Sequence, residues 1–233
     1  MFDDLKNCFD FYLRNKIRIS RKNFVEKNSK LIERNKLENL YTMDILDQAF
    51  TKQGENLRVL DIGCKNWFYA KGEYDFFKSF CNNFQLDGVE LDAFRLYSNF
   101  YNRYEVAKFY TKELENTNYI AGNLLDLSKK YDYIIWFLPF VLYEPHKYWG
   151  LPKKYFYPEK LLKHAYNLLN ENGQMLIVNQ GEREYEFQKQ MLDKLVIDYI
   201  DLSEIKSEHF EYQHKRFGLV VKNNSHLKAK FAR

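Results

Sequence analysis

The chain is expected to be an α/β protein, a seven-stranded mostly parallel sheet with an antiparallel last strand and helices on both faces. Three observations predict it. Five short apolar runs, four of them closed by glycine, acids or amides, recur between residues 57 and 181, and most are separated by stretches with helical spacing. Two further runs, 196–202 and 216–221, follow each other with only a loop between them, as antiparallel neighbours do. Residues 1–50 contain no Gly or Pro and carry apolar residues at helical intervals, which adds a helical N-terminal extension. The expected division is an extension over 1–52, a main domain over 53–222 and a basic tail over 223–233.

In the extension, Leu5, Phe9 and Leu13 are spaced i, i+4, and Ile17, Phe24 and Leu31 recur every seven residues. "LRVLDIG" (57–63) reads as a buried parallel strand. Ala70, Tyr74, Phe77, Cys81 and Phe84 follow at helical spacing. "QLDGVELD" (85–92) is the second strand. A helix is expected from Ala93 to about Glu115, with Leu96, Phe100, Tyr104 and Ala107 on one face. "NYIAGN" (118–123) and "YDYIIWFLPF" (131–140) are strands three and four. "PEKLLKHAYNLLNENG" (158–173) is expected to be one helix, with Pro158 at its start and Gly173 just past its end. "QMLIVNQG" (174–181) is strand five, and Tyr185, Gln188, Met191, Leu192 and Leu195 suggest a helix after it.

At 233 residues the chain can bury a sizeable core. It has no apolar run long enough to span a membrane, and its start does not read as a secretory signal. Three scattered cysteines make neither a metal pattern nor a disulfide framework, so a reducing, cytoplasmic setting and no metal are expected. Net charge is only +4, but Phe11 to Lys36 holds nine Lys/Arg against two Glu. Such a stripe is a solvated helix face or a contact for nucleic acid.

The ligand loop follows strand one. Asp61-Ile62-Gly63 ends the strand where doubly wound sheets bind ligands. A dinucleotide loop would continue with two more glycines, but Cys64, Lys65, Asn66 and Trp67 follow instead. There is no GxxxxGK[ST] phosphate loop. An acid at Asp61 is poorly placed beside a phosphate but suits an ammonium, as in S-adenosylmethionine. Glu90 closes strand two, where a carboxylate can accept from two ribose hydroxyls. Asn123 closes strand three, where an amide can reach an adenine edge.

The chain resembles the class I S-adenosylmethionine-dependent methyltransferases, with a Rossmann-like fold, over about residues 55–222. "VLDIGC" (59–64), "LDGVELD" (86–92), "YIAGNLLDL" (119–127), "YDYIIWFLPF" (131–140) and "LLNENGQMLIVNQ" (168–180) match that family's motifs in order. The resemblance implies methyl transfer, with Asp61 and Gly63 near the methionine part, Glu90 on the ribose and Asn123 near adenine. Cys64, Leu91, Leu124 and Phe137 would complete the cofactor site, and Asp92 and Asp126 are reserves. The departure is Lys65, which takes the place of the second glycine in the Gly-x-Gly that many members carry.

The acceptor should lie over strands four and five. All four prolines fall between 139 and 158 in a long aromatic connection, the right place for a lid or an acceptor pocket. Pro139, Phe140, Trp149 and Gln180 are the expected substrate contacts. Only Pro139-Phe140 survives of the (D/N)PP(Y/F) of amino-methylating enzymes, so N-methylation does not follow. His146, Gln180 and Glu182 are candidate proton acceptors or orienting groups, with His146 most simply an exposed loop residue. Trp67 and Tyr69 would either wall a sulfonium or pack. The acceptor itself, small molecule, RNA or protein, is not readable. The competing expectation is a non-catalytic binding module that contacts RNA or an acidic partner through the basic N-terminal helices.

Overall fold

The computed structural model of the chain describes residues 29–98 and 100–223. Most of the basic run, the first helical repeats (Leu5 to Phe24) and residues 224–233 of the tail lie outside the described residues, as do Cys8 and the side chain of Leu31. Helix α1 spans Ser29–Ala49 and precedes strand β1, Asn56–Ile62. Then come α2 (Ala70–Lys78), β2 (Asn83–Glu90), α3 (Arg103–Thr111), β3 (Thr117–Ala121) and β4 (Tyr131–Phe137). A strap over 138–157 holds the short helix α4 (Tyr143–Tyr148), and α5 (Pro158–Leu168), β5 (Leu169–Gln180) and α6 (Gly181–Lys194) follow. Strands β6 (Tyr199–Ile205) and β7 (Arg216–Lys222) complete the sheet.

The seven strands lie in the order β3-β2-β1-β4-β5-β7-β6. The pairs from β3 through β5 are parallel, and β7 runs antiparallel to both β5 and β6. The order reverses between β1 and β4, which puts a crevice at the carboxyl ends of those strands. Strand alternation divides the core into two layers. Val59, Tyr133, Ile135, Leu176 and Val220 face α1 and α2, while Leu60, Ile134, Met175, Ile177 and Leu219 face α5 and α6. Tyr41, Ile45, Leu46 and Phe50 bind the described part of the N-terminal extension into the first layer.

Two expected helices are shorter than the sequence suggests. The helix expected over 158–173 ends at Leu168, and Leu169 already belongs to β5. Gly173 is therefore no helix cap. It lies in a strand irregularity where the register between β4 and β5 shifts, and a Cβ there would meet the Asp132 carbonyl at 3.2 Å. The helix expected from Ala93 begins only at Arg103, because Asn102 and Glu105 form a reciprocal capping box at 2.8 and 3.0 Å. Leu96, which makes an isolated antiparallel bridge with Asn102, and Phe100, in a bend, lie before that helix and are exposed.

Candidate active site

A cavity of about 1120 Å³ opens at the carboxyl ends of the central strands. Ile62 and Gly63 after β1, Glu90 and Leu91 after β2, Gly122, Asn123 and Leu124 after β3, and Phe137 of β4 line one part. Gln180 at the end of β5, Glu184 and Gln188 of α6 and Arg216 of β7 line another. Helix α1 contributes Arg34, Glu38 and Tyr41, and the strap contributes Pro139, Phe140, His146 and Trp149.

The loop after β1 is held by backbone bonds at Gly63, Cys64, Lys65 and Trp67. Gly63 has φ +73°, and a Cβ added to it would meet nothing within 4 Å, so the chain passes bare beneath open space. Gly63 and Cys64 donate their N–H groups to the Val89 carbonyl. Lys65 and Trp67 also take left-handed backbone, at φ +56° and +48°. Lys65 N–H donates to Glu90 Oε2 at 2.9 Å, and the Tyr119 hydroxyl donates to the Lys65 carbonyl. Trp67 is fully buried and packs across β2: a Cβ on Gly88 would meet its ring at 2.8 Å. Trp67 does not line the cavity and walls no ligand; it packs.

Asp61 and Cys64 are fully buried and lie beneath the cavity lining rather than in it. The Tyr69 hydroxyl, which does line the cavity, donates to Asp61 Oδ2 at 2.9 Å. On the other side Asp61 meets Glu73, also fully buried, whose Oε2 accepts the Trp67 indole N–H at 2.8 Å. Burial pushes the Asp61 carboxyl up to about 7 and Glu73 well above its ordinary range. Among the described residues Asp61 Oδ1 and Glu73 Oε1 have no other donor, and a proton retained on Glu73 satisfies both. Glu73 was absent from the sequence expectations. Its signal was there: it sits at i+3 from Ala70 and i−4 from Phe77, an acid on an apolar helix face.

Glu90 is 7% exposed and lines the cavity. Its carboxylate accepts from Lys65 N–H and, at 2.7 Å, from Asp92 N–H, and the Arg103 guanidinium approaches at 3.4 Å. Arg103, buried at the start of α3, also pairs with Asp92. Trp149, expected with the acceptor, stands on this side. Lys65 Nζ and Arg103 Cζ each lie 5.1 Å from its ring centroid, and Arg95 donates to its carbonyl. Leu91 and Leu124 line the cavity, while Asp126 is exposed in a 3-10 turn. The Asn123 side chain is committed elsewhere: Oδ1 accepts from Leu125 N–H and Nδ2 donates to the Tyr157 hydroxyl, both at 3.0 Å.

His146 is not the exposed loop residue expected. Helix α4 turns it inward to 2% exposure, among the rings of Phe140, Tyr143 and Phe156. Neither ring nitrogen has a partner among the described residues, and burial lowers the imidazole pKa. Glu182 was expected to face the cleft and does not. Helix α6 starts at Gly181, so helical rather than strand spacing applies: Glu182 is exposed, and Glu184 and Gln188 face in. Glu184 accepts from Gln180 N–H, and burial raises its pKa. Gln180 Oε1 accepts from Arg216 at 2.7 Å, and Arg216 lies 4.6 Å from the Tyr212 ring centroid. The Tyr41 hydroxyl and Gln188 Nε2 are buried and unpartnered among the described residues.

These residues fit a nucleoside bearing an amino-acid chain. Space stands open above Gly63, and Glu90 holds two acceptor oxygens with lone pairs to spare. Asn66 Oδ1, in the lining, lacks a partner among the described residues, and the Tyr97 hydroxyl there lies beside the Arg103 guanidinium. Among the described residues no cluster of His, Cys, Asp or Glu could hold a metal ion, and no helix is long and apolar enough to cross a membrane.

No protein-family model matches the sequence, and no curated protein matches it in sequence. Solved structures do match. An S-adenosylmethionine-dependent methyltransferase from Aquifex aeolicus superposes with a TM-score of 0.58 at 15% identity, over 85% of this chain and 97% of that one. A methyltransferase from Pyrococcus furiosus gives 0.53 at 18% identity, over 80% and 83%. A Listeria monocytogenes protein assigned to the class I S-adenosylmethionine-dependent methyltransferases gives 0.54 at 12% identity, over 82% and 60%. The chain has the fold of the class I S-adenosylmethionine-dependent methyltransferases.

Proposed function

We propose that the protein transfers a methyl group from S-adenosylmethionine to a small-molecule acceptor. The observation that carries the reading is the open space above Gly63, flanked by the Glu90 carboxylate in one cavity. Gly63 leaves the backbone approachable, Glu90 accepts the ribose hydroxyls, and the ends of β3 at Gly122–Leu124 receive the base. Asp61 acts through the Tyr69 hydroxyl rather than by direct contact. The acceptor lies over β4 and β5, against Pro139, Phe140 and Gln180, and the roof of α1 and the strap favours a small molecule over a macromolecule.

When bound, the cofactor supplies a methyl group on a sulfonium, from which a neutral thioether departs as the leaving group. The protein's own task is then chiefly to align the acceptor and exclude water, for which α1 and the strap, both in the cavity lining, are placed. Where the acceptor must lose a proton, His146 is the group suited to take it: burial lowers its imidazole pKa, and among the described residues neither ring nitrogen has a partner. Glu184, beside Arg216, is the carboxyl suited to orient a polar acceptor.

Isothermal titration with S-adenosylhomocysteine tests the reading. Binding is expected in wild type and lost in Glu90→Ala. A folded wild type that binds neither the methyl donor nor its product at millimolar concentration would refute it.

A further inference from the structure

Lys65 occupies a place where glycine would be easier. Its φ of +56° is costly for a residue with a side chain. Its N–H and carbonyl are both held, by Glu90 and Tyr119, so only the side chain is free to act. That side chain lines the cavity two residues from Gly63. Among the described residues its ammonium makes no hydrogen bond and no ion pair; it faces the Trp149 ring at 5.1 Å and feels Glu90, Glu38 and Arg103 only at longer range. The nearby carboxylates are otherwise engaged. Glu90 accepts from two backbone N–H groups and meets Arg103, Asp92 pairs with Arg95 and Arg103, and Glu38 pairs with Arg34. Burial lowers the lysine pKa, as it does for a cation that lacks a full counter-charge.

Building on the cofactor reading above, we propose that the Lys65 ammonium is the counter-ion for the carboxylate of the amino-acid chain bound above Gly63. A loop with a second glycine would meet that end of the ligand with bare backbone; here one charge on a stiffly held backbone takes its place. Lys65 is thus a specificity-determining residue that separates a ligand with the carboxylate from the same ligand without it.

The test is a titration of S-adenosylmethionine and of decarboxylated S-adenosylmethionine, which keeps the ammonium and sulfonium, into wild type, Lys65→Met and Lys65→Arg. Wild type should prefer the carboxylated ligand. Lys65→Met should weaken it roughly tenfold or more, the scale of a charge-assisted contact, while shifting the decarboxylated ligand less than twofold. Lys65→Arg should keep most of the preference. Equal losses for both ligands would mean that Lys65 only shapes the loop and would overturn the proposal, as would tighter binding of both by Lys65→Met, the mark of an obstruction. Wild type that binds either ligand while Lys65→Met leaves the preference intact overturns this proposal alone. Wild type that binds neither overturns the cofactor reading and the proposal with it.

Discussion

The buried pair of Asp61 and Glu73 should make the protein less stable as pH rises, the reverse of ordinary carboxylates. Asp61 has its pKa pushed from 3.8 up to about 7 by burial, and Glu73 well above its ordinary value. The sign follows from proton counts. Between the unfolded value and the folded one, the folded protein holds a proton that the unfolded chain releases. Stability is then greatest near pH 4 and falls as pH climbs through 7. At 1.36 kcal/mol per pH unit, Asp61 alone contributes a fall of about 4 kcal/mol at most across that window. The pair titrates jointly, so its total is what an experiment reads. Glu73→Gln isolates it. The amide oxygen can accept the Trp67 indole N–H, and the amide N–H₂ can donate to Asp61 Oδ1, just as a protonated Glu73 does. The variant should match wild type near pH 5, surpass it near pH 8 and show a shallower pH slope. Urea midpoints at half-unit steps from pH 5 to 8.5 measure this. A Glu73→Gln slope equal to that of wild type, or weaker stability at pH 8, would refute the shared proton.

Glu73→Ala strands both the indole N–H and Asp61 and should cost about 3 kcal/mol or more by urea denaturation. Gly88→Ala drives a methyl into the Trp67 ring and should cost about 1–3 kcal/mol, with part recovered in the Gly88→Ala, Trp67→Phe double variant. Gly63→Ala, which has room but the wrong backbone, should cost only about 1 kcal/mol of stability while sharply weakening S-adenosylhomocysteine binding, because its methyl enters the ligand's space. The His146 imidazole, kept neutral by burial, should titrate below 6.5 by NMR; a midpoint at or above 6.5 would contradict its place among Phe140, Tyr143 and Phe156.

Strand positions were legible because buried parallel strands are continuous apolar runs, and the exchange of period between strand and helix is strong. The helix boundaries were not. Asn170-Glu171-Asn172-Gly173 reads as a helix end, yet these residues enter β5, with Asn172 N–H donating to the Asn223 carbonyl and Asn223 N–H to that of Gly173. A contact fifty residues away decides it, and no local pattern carries it. In the candidate site, Gly63 and Glu90 were readable as strand ends, and both line the cavity. The inward turn of His146 depended on a short helix hidden in a proline-rich stretch. Arg103 and Glu38 escaped notice because a buried charge looks like a surface charge until its partners are placed.

The unusual loop after Gly63 is one unit rather than a row of separate departures. Two non-glycine residues in left-handed backbone cost of order 1–3 kcal/mol each. Glu90 and Tyr119 hold Lys65, and the burial of Trp67 holds the turn that follows. That burial requires Gly88 on β2 to clear the ring and Glu73 on α2 to accept its N–H. Glu73 in turn requires a proton to lie against Asp61 without repulsion. The acid at the end of β1 is therefore tied through Glu73 to the tryptophan that closes the loop, and with Trp67 locked in the core, Lys65, in the place of the usual glycine, is the part of the loop whose side chain extends toward Trp149. The chain of dependence fixes the order of sensitivity. Changes at Glu73, Trp67 or Gly88 should unsettle the whole loop, whereas changes at the Lys65 ammonium should alter ligand preference and leave the fold intact.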